Sequence, residues 1–162
     1  SDLDAWVGGF SDRERTLAIM KDPRSGPIAV VVLVLLLLLK FAALFTLLQA
    51  GQGIYLLLLP WLGRSLLPLL VATTPYVRAG GLGQTLVDHL PRRQLPWVLG
   101  LHLLGMLLFG WQGLLVLATG LSLFAWLRHA LLQRLGGTTG DTAGALVELA
   151  ECGALLALAL SL

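Results

Sequence analysis

The feature that most constrains this chain is an apolar run from residue 27 to residue 50, in which Lys40 is the only charged side chain. About 20 consecutive apolar residues are enough for an α-helix to cross the hydrocarbon core of a bilayer. Of the 162 residues, 57% are hydrophobic and only 12% are charged, so too little polar surface remains for a soluble domain of this size. The chain is therefore predicted to be an integral membrane protein.

Three further apolar runs, at residues 54–73, 95–127 and 143–162, predict additional spans. The run 95–127 is too long for one ordinary span, and the glycines of segment 110–113 predict a hairpin of two short helices. Open sheets are excluded because the bilayer core offers no water to unpaired backbone groups, and the leucine-rich runs lack the alternation of barrel strands. The predicted fold is all-α and polytopic, with about five transmembrane helices in a single domain over residues 1–162.

The segment before the first span predicts a short interfacial helix. Ser11 and Glu14 have the spacing of a capping box, and residues 12–22 carry apolar side chains among charges until Pro23 ends the helix. The chain begins at Ser1 without a methionine, and polar, acidic sequence precedes the first span. We therefore expect a fragment of a longer protein that starts without a signal peptide.

The distribution of basic residues predicts the orientation of the spans. Lysines and arginines gather before the first span and in segments 74–94 and 128–142, whereas the turns at 51–53 and 110–113 have none. Cytoplasmic loops are enriched in Lys and Arg. All three charged segments are therefore predicted to face the cytoplasm.

Several residues of types that often carry chemistry are interpreted as structural or topological. A small and scattered net charge of +2 argues against nucleic-acid binding, and the single Cys152 cannot form an intrachain disulfide. The histidines lack metal-ligand spacing, and His102 on an apolar helix is expected to form a local hydrogen bond. The loop charges interpreted as solvated topology signals are Asp88, Arg92, Arg93 and Arg128.

Charged residues within the apolar runs are the best candidates for function. On a helix that begins near Asp141, Glu148 nearly eclipses Asp141 and Glu151 lies about 60° around, so three carboxylates share one side. An unpaired charge inside the bilayer costs about 3 kcal/mol on insertion scales, which predicts a partner, a metal or a cavity for both glutamates. For Lys40 and Arg64, structural and functional roles stay equally open.

Carboxylates near lysines and arginines suit a phosphate or diphosphate held by Mg²⁺. The preceding segment 136–140, Gly-Gly-Thr-Thr-Gly, has no bulky side chain, so its N–H groups could approach a phosphate at a helix N-terminus. A glycine-rich stretch before a helix is more often a simple turn than a phosphate cradle. The pattern therefore favours phosphoryl transfer without deciding the role of the glycines.

Four segments together resemble a known family. They are DAWVGG at 4–9, RERTLAIMKDPRSG at 13–26, LLLKFAAL at 37–44 and GGTTGDTAGALVELAE at 136–151. In this order, they resemble cobalamin synthases, the adenosylcobinamide-GDP ribazoletransferases. The resemblance implies a magnesium-dependent enzyme of the bacterial inner membrane, with its polar motifs at the cytoplasmic face. It would join adenosylcobinamide-GDP to α-ribazole or its 5′-phosphate and release GMP.

The resemblance also implies roles for individual residues. The implied catalytic residues are Lys21, Asp22, Arg24 and Arg78. The implied cofactor-binding residues are Gly137, Thr139 and Gly140. The implied ligands of Mg²⁺ are Asp4, Asp141, Glu148 and Glu151. A homo-oligomer, or a complex with other late enzymes of B12 synthesis, is the implied assembly.

The chain departs from the family pattern in two places. Family members carry an upstream acidic motif of the form DGLAD, preceded by further spans, so this chain resembles the C-terminal two-thirds of the family sequence. Ser1 stands where an acidic residue is expected, with Asp2 as a candidate substitute. A further segment, Arg78 with the glycines at 80, 81 and 83, resembles the middle motif of the family. In this segment, Ala79-Gly80 replaces the Pro-Asp common after the arginine.

Two other functions also use charged residues in a helical membrane protein. A CDP-alcohol phosphotransferase also uses aspartates and Mg²⁺ in a helical membrane fold, but its denser aspartate pattern is not seen here. A transporter or membrane scaffold would use Lys40, Arg64 and Glu148 to line a pathway. The gathering of polar motifs on one side disfavours that alternative.

Overall fold

The computed structural model describes residues 2–9, 12–22, 24–78, 80 and 83–162. Over these residues the regular elements are α1 (Asp2–Gly8), α2 (Arg13–Met20), α3 (Pro27–Gln49), a 3₁₀ turn (Gly53–Leu57), α4 (Leu58–Thr73), α5 (Gly83–Asp88), α6 (Leu95–Leu107), α7 (Trp111–Leu135) and α8 (Gly140–Leu160). An isolated parallel bridge joins Tyr76 to Thr138. The prediction of an all-α fold is confirmed.

Within the described part of the chain, four helical segments are long and apolar enough to cross a membrane: α3, α4 with its preceding 3₁₀ turn, α7 and α8. The predicted hairpin is present, but its arms are unequal, with 13 residues in α6 and 25 in α7. Helix α6 is about 20 Å long, short of the roughly 30 Å hydrocarbon core. The predicted count of about five therefore comprises four full-length helices and one shorter apolar helix.

The hairpin turns at Gly110, where φ is +69°, a backbone conformation that favours glycine. Helix α7 then continues to Leu135, so the first part of the predicted polar loop at 128–142 is helical. Likewise, the predicted loop at 74–94 contains the short helix α5. Helix α5 holds only two apolar residues, Leu86 and Val87, which are too few to signal a helix by periodicity.

Helix α8 is the centre of the bundle, with α7, α4 and α3 packed around it. Leucines of α4 supply much of the core, and Leu62 packs where a side chain at Gly120 of α7 would otherwise lie. His102 on α6 forms the expected hydrogen bond, 3.0 Å from Nδ1 to the hydroxyl of Ser65 on α4. Helix α3, by contrast, is exposed along most of its length.

The short helix predicted before the first span is present as α2, but its N-cap differs from the prediction. The side chain of Asp12 accepts hydrogen bonds from the N–H groups of Glu14 at 3.0 Å and Arg15 at 3.2 Å. The cap is therefore Asp12, because its carboxylate reaches the first free N–H groups of the helix. Helix α1 was not predicted. The described part of the chain leaves out Ser1, Phe10, Ser11, Pro23, Ala79, Gly81 and Leu82, and the side chain of Asp2.

Two arginines interpreted as topology signals bind the C-terminal end of α4. Arg128 donates from Nε to the Thr74 hydroxyl at 3.0 Å and from Nη2 to the Thr73 carbonyl at 2.5 Å. Arg92 donates to the Ala72 carbonyl at 3.2 Å. Cations at a helix C-terminus satisfy its last carbonyls and interact favourably with the helix dipole.

The three charged segments lie at one end of the bundle. Arg134, near the end of α7, donates to the Trp6 carbonyl, and its guanidinium lies 4.3 Å from the centre of the Trp6 ring. The Tyr76–Thr138 bridge joins the segment after α4 to the segment before α8. The clustering predicted from the basic residues is therefore observed within the molecule.

Candidate functional site

The N-terminus of α3 is held by Asp4 of α1. The Asp4 carboxylate accepts hydrogen bonds from the N–H of Gly26 at 2.9 Å and of Ala29 at 3.3 Å. A Cβ atom at position 26 would lie 2.4 Å from Asp4 Oδ1, so only glycine permits this approach. The carboxylate satisfies helix N–H groups and complements the positive end of the helix dipole.

The glycine-rich segment before α8 packs tightly against the segment after α4. The N–H of Thr138 donates to the Pro75 carbonyl at 2.8 Å, and the N–H of Val77 donates to the Thr138 carbonyl at 2.9 Å. A Cβ atom at Gly137 would lie 2.2 Å from the Pro75 carbonyl oxygen. Gly137 therefore permits a close backbone contact, which brings Arg78 to the start of α8.

The buried threonines of this segment cap α8. The N–H of Thr139 donates to Thr142 Oγ1 at 2.8 Å, and the N–H of Thr142 donates to Thr139 Oγ1 at 3.2 Å. This reciprocal pair is a capping box. The N–H groups of Thr138 and Thr139 are thus used within the protein, which favours a positioning turn over a phosphate cradle. Gly140, in the first turn of α8, remains exposed.

An ion pair joins the two segments at the surface. Arg78 Nη1 donates to Asp141 Oδ2 at 2.9 Å, and each side chain is about half exposed, at 48% and 54%. Asp141 lies in the first turn of α8, where a carboxylate is stabilised by the helix dipole. The structure thus brings together two of the residues predicted to act in the site.

A cavity of about 320 Å³ lies on one side of this ion pair. We call it the basic cavity, because Lys21 and Arg78 both line it, together with Leu17, Met20, Val77 and Thr139. Two cations on one cavity suit an anionic ligand, since hydrogen bonds from Lys or Arg to phosphate oxygens are charge-assisted.

A second cavity, of about 430 Å³, lies on the other side of the ion pair, between α3 and α8. We call it the apolar groove. Its lining residues are Leu3, Ser25, Ala29, Val30, Leu33, Leu36, Asp141 and Ala145. Asp141 lies on this groove while its partner Arg78 lies on the basic cavity, so the ion pair is the boundary between the two.

Asp22 and Arg24 form a mutual ion pair. Arg24 donates from Nε to Asp22 Oδ1 at 3.1 Å and from Nη2 to Oδ2 at 3.0 Å. The side-chain hydrogen bonds from Arg24, followed by its backbone N–H, lower the pKa of Asp22, and Asp22 raises the pKa of Arg24. The pair lies in the chain between Lys21 and Ser25, which line the basic cavity and the apolar groove.

The two glutamates of α8 lie deeper and point to different neighbours. Lys40 of α3 donates to Glu148 through a short hydrogen bond, which gives both charges a partner. Glu151 is half-buried, and its Oε1 lies 2.1 Å from where a Cβ atom at Gly63 of α4 would be. Glu148 therefore faces α3 and Glu151 faces α4, so the carboxylates of α8 do not form the single acidic face that was predicted.

The four predicted magnesium ligands do not form one group. Asp4 and Asp141 lie at the polar end of the bundle, whereas Glu148 and Glu151 are about 10 and 15 Å further along α8. Among the described residues, no three His, Cys, Asp or Glu side chains are grouped so that they could hold a metal ion.

The sequence analysis assigned no role to Ser25 or to the apolar residues that line the groove. Ala29 of α3 and Ala145 of α8 both line the groove. Alanines within apolar runs rich in larger side chains could have indicated a groove at these positions. The sequence does not show which neighbouring helix they face.

A comparison with protein families adds the decisive observation. The family described as cobalamin-5-phosphate synthase matches residues 2–159. The chain belongs to this family. The resemblance seen in the four sequence segments is therefore confirmed.

Relatives named adenosylcobinamide-GDP ribazoletransferase are similar to nearly the whole chain. The relative from Ectopseudomonas mendocina (strain ymp) is 85% identical over 159 residues, 98% of this chain and 65% of its own length. The relative from Pseudomonas aeruginosa PAO1 is 69% identical over 157 residues, 97% of this chain and 64% of its own length. The relative from Pseudomonas putida KT2440 is 62% identical over 160 residues, 98% of this chain and 65% of its own length. The chain thus spans about 65% of the length of these relatives, and no solved structure matches it.

Proposed function

We propose that this chain carries the phosphoryl-transfer site of a membrane enzyme that joins adenosylcobinamide-GDP to α-ribazole or its 5′-phosphate. The observation that carries the proposal is the Arg78–Asp141 ion pair, because it stands between a cavity suited to an anion and a groove suited to an apolar group. Membership of the cobalamin-5-phosphate synthase family supports the same substrates.

The proposed reaction exchanges one bond to phosphorus for another. A ribose hydroxyl of α-ribazole forms an O–P bond to the phosphate that cobinamide carries. The bond from that phosphorus to the bridging oxygen breaks, GMP leaves with the oxygen, and the hydroxyl proton passes to water. Lys21 and Arg78 would hold the diphosphate and stabilise the charge that develops on the leaving GMP.

Mg²⁺ is the proposed cofactor, and the residues at this end fit its usual coordination. Mg²⁺ is commonly bound by one or two carboxylates together with phosphate oxygens and waters. Asp141 is half exposed at the boundary of the two cavities, and Asp4 binds the N–H of Ala29, which lines the apolar groove. When bound, the ion would neutralise charge on the diphosphate. Asp141 and Asp4 would hold it, and Glu148 and Glu151 lie too deep to share this role.

The location of the polar motifs supports a site at a membrane surface. Four long apolar helices make the chain a multi-pass membrane protein. We place the site at the cytoplasmic face of the bacterial inner membrane, because the basic residues cluster at the same end. A homo-oligomer, or a complex with other late enzymes of B12 synthesis, stays a prediction. The pathway role that a transporter would give Lys40 and Glu148 is not supported, since these two residues bind each other.

Arg78→Met tests the proposal in the full-length enzyme. We expect the rate of GMP release to fall by about 10²-fold, the usual scale for removing one electrostatic group that acts on the transition state. Arg93→Met is the matched control, because Arg93 is an exposed arginine of the segment before α6. Equal rates for the two variants would contradict the proposal.

A further inference from the structure

We infer that the apolar groove binds the aromatic base of α-ribazole, a dimethylbenzimidazole, so that this base selects the acceptor substrate. The inference rests on the proposed function and assigns one part of one substrate to one cavity. Six of the eight residues that line the groove are apolar, and the polar ones are Ser25 and Asp141. The groove is therefore an apolar slot with polar groups to orient one ligand.

The polarity of the groove separates dimethylbenzimidazole from the guanine that the donor substrate brings to the site. Guanine carries several hydrogen-bond donors and acceptors on its edge, and each costs free energy if it is buried without a partner. Dimethylbenzimidazole, attached to ribose through one ring nitrogen, keeps a single acceptor nitrogen and presents two methyl groups. The leucine and valine side chains of α3 that line the groove favour binding of dimethylbenzimidazole and disfavour burial of guanine.

The size of the groove supports the same assignment. The groove is open on one side, and its volume of about 430 Å³ falls within the roughly 300–1,000 Å³ of small-ligand sites. A nucleoside fits that range, whereas an adenosylated corrin, with its many peripheral side chains, is much larger. The corrin of the donor substrate must therefore lie outside the groove.

The position of the groove then brings the reacting groups together. With the base between α3 and α8, the ribose reaches Ser25 and Asp141. Asp141 binds Arg78, which lines the basic cavity proposed to hold the diphosphate. The hydroxyl of the acceptor and the phosphorus of the donor would thus meet at the Arg78–Asp141 pair.

Two alanines make the assignment testable, because they line the groove from opposite helices. Ala29 belongs to α3 and Ala145 to α8, and a leucine at either position would fill part of the slot. Ala42→Leu is the matched control, since Ala42 is exposed further along α3. Leu33→Ala changes the groove in the opposite direction by enlarging it.

The experiment measures GMP release by the full-length enzyme, with each substrate varied while the other is saturating. For Ala29→Leu and Ala145→Leu, we expect the KM for α-ribazole to rise by about tenfold or more, the scale of a misfitted hydrophobic pocket. The KM for adenosylcobinamide-GDP should stay within about twofold, because its binding contacts are untouched. Ala42→Leu should change neither value.

Leu33→Ala keeps the inference falsifiable if the leucine variants do not fold. This variant should lower the preference for α-ribazole over the riboside of unsubstituted benzimidazole by about tenfold, since the two methyl groups lose their apolar contacts. An unchanged preference would overturn the inference.

Calorimetric titration with α-ribazole alone separates failure of the inference from failure of the proposed function. Wild-type protein that binds α-ribazole but releases no GMP would contradict the proposed reaction and leave the groove assignment standing, provided Ala145→Leu weakens that binding. Groove variants with normal α-ribazole binding and both KM values unchanged would overturn the inference. Loss of bound phospholipid from the variants, with α-ribazole binding unchanged, would also overturn the inference, because the groove would then hold an acyl chain.

Discussion

At the scale of single residues, two glycines at the polar end permit close contacts that a side chain would block. Gly137 lies against the Pro75 carbonyl, and Gly26 lies against the Asp4 carboxylate. In each case a Cβ atom would lie closer than 3 Å to an oxygen atom. The motif GGTTGD therefore owes part of its composition to the packing that positions Arg78 and Asp141.

Gly137→Ala should disturb this packing and the site with it. The added Cβ would force the segment that carries Arg78 away from α8, and overpacking of this kind costs about 1–3 kcal/mol. We expect a lower unfolding temperature in detergent together with slower GMP release by the full-length enzyme.

Gly144→Ala is the control for that substitution, because no other group lies within 4 Å of a Cβ atom built at Gly144 of α8. Alanine in a helix interior is favoured over glycine by about 0.5–1 kcal/mol, so this variant should be at least as stable as the wild type. Equal effects of the two substitutions would refute the role given to Gly137.

At the scale of elements, the Lys40–Glu148 ion pair joins α3 to α8. Helix α3 packs mainly against α8 and to a lesser extent against α1, so this pair is an important link for an otherwise exposed span. It also lies one turn beyond Leu36 and Ala145, at the inner end of the apolar groove. The sequence predicted a partner, a metal or a cavity for Glu148 and left the role of Lys40 open. The structure shows that each is the partner of the other.

Lys40→Met and Glu148→Gln should each destabilise the bundle, because each leaves a charged or polar group without its partner in an apolar environment. The double variant should be more stable than the sum of the two single effects predicts, with a coupling of more than about 0.5 kcal/mol. Unfolding temperatures of the four proteins in one detergent measure this coupling. Strictly additive effects would show that the pair does not link the helices.

The elements also show what could and could not be predicted from sequence. The spans were predictable because the length and polarity of an apolar run are local properties. Helix α1, the extension of α7 to Leu135 and the pairing of Tyr76 with Thr138 depend on contacts between distant segments. The same limit applies to the site: the charged residues could be listed, but not that Asp141 binds Arg78 while Glu148 binds Lys40.

At the scale of the whole molecule, every charged segment lies at one end of the bundle, and the apolar turns lie at the other. This arrangement predicts the labelling pattern of single cysteines in sealed vesicles. Asp88→Cys and Gln133→Cys should react from one side, and Ala50→Cys and Leu108→Cys from the other. All four positions are exposed, whereas the native Cys152 is buried. Reaction of Asp88→Cys and Gln133→Cys from opposite sides would contradict the fold.

The central claim is that phosphoryl transfer takes place where Asp141 and Arg78 meet, between the basic cavity and the apolar groove. The most direct measurement is single-turnover release of GMP from adenosylcobinamide-GDP by the full-length enzyme, with Asp141→Asn compared with Asp88→Asn over a range of Mg²⁺ concentrations. We predict that Asp141→Asn slows release by about 10²-fold and is partly rescued by added Mg²⁺, while Asp88→Asn behaves as wild type. An Asp141→Asn enzyme with an unchanged rate and an unchanged Mg²⁺ dependence would contradict the account.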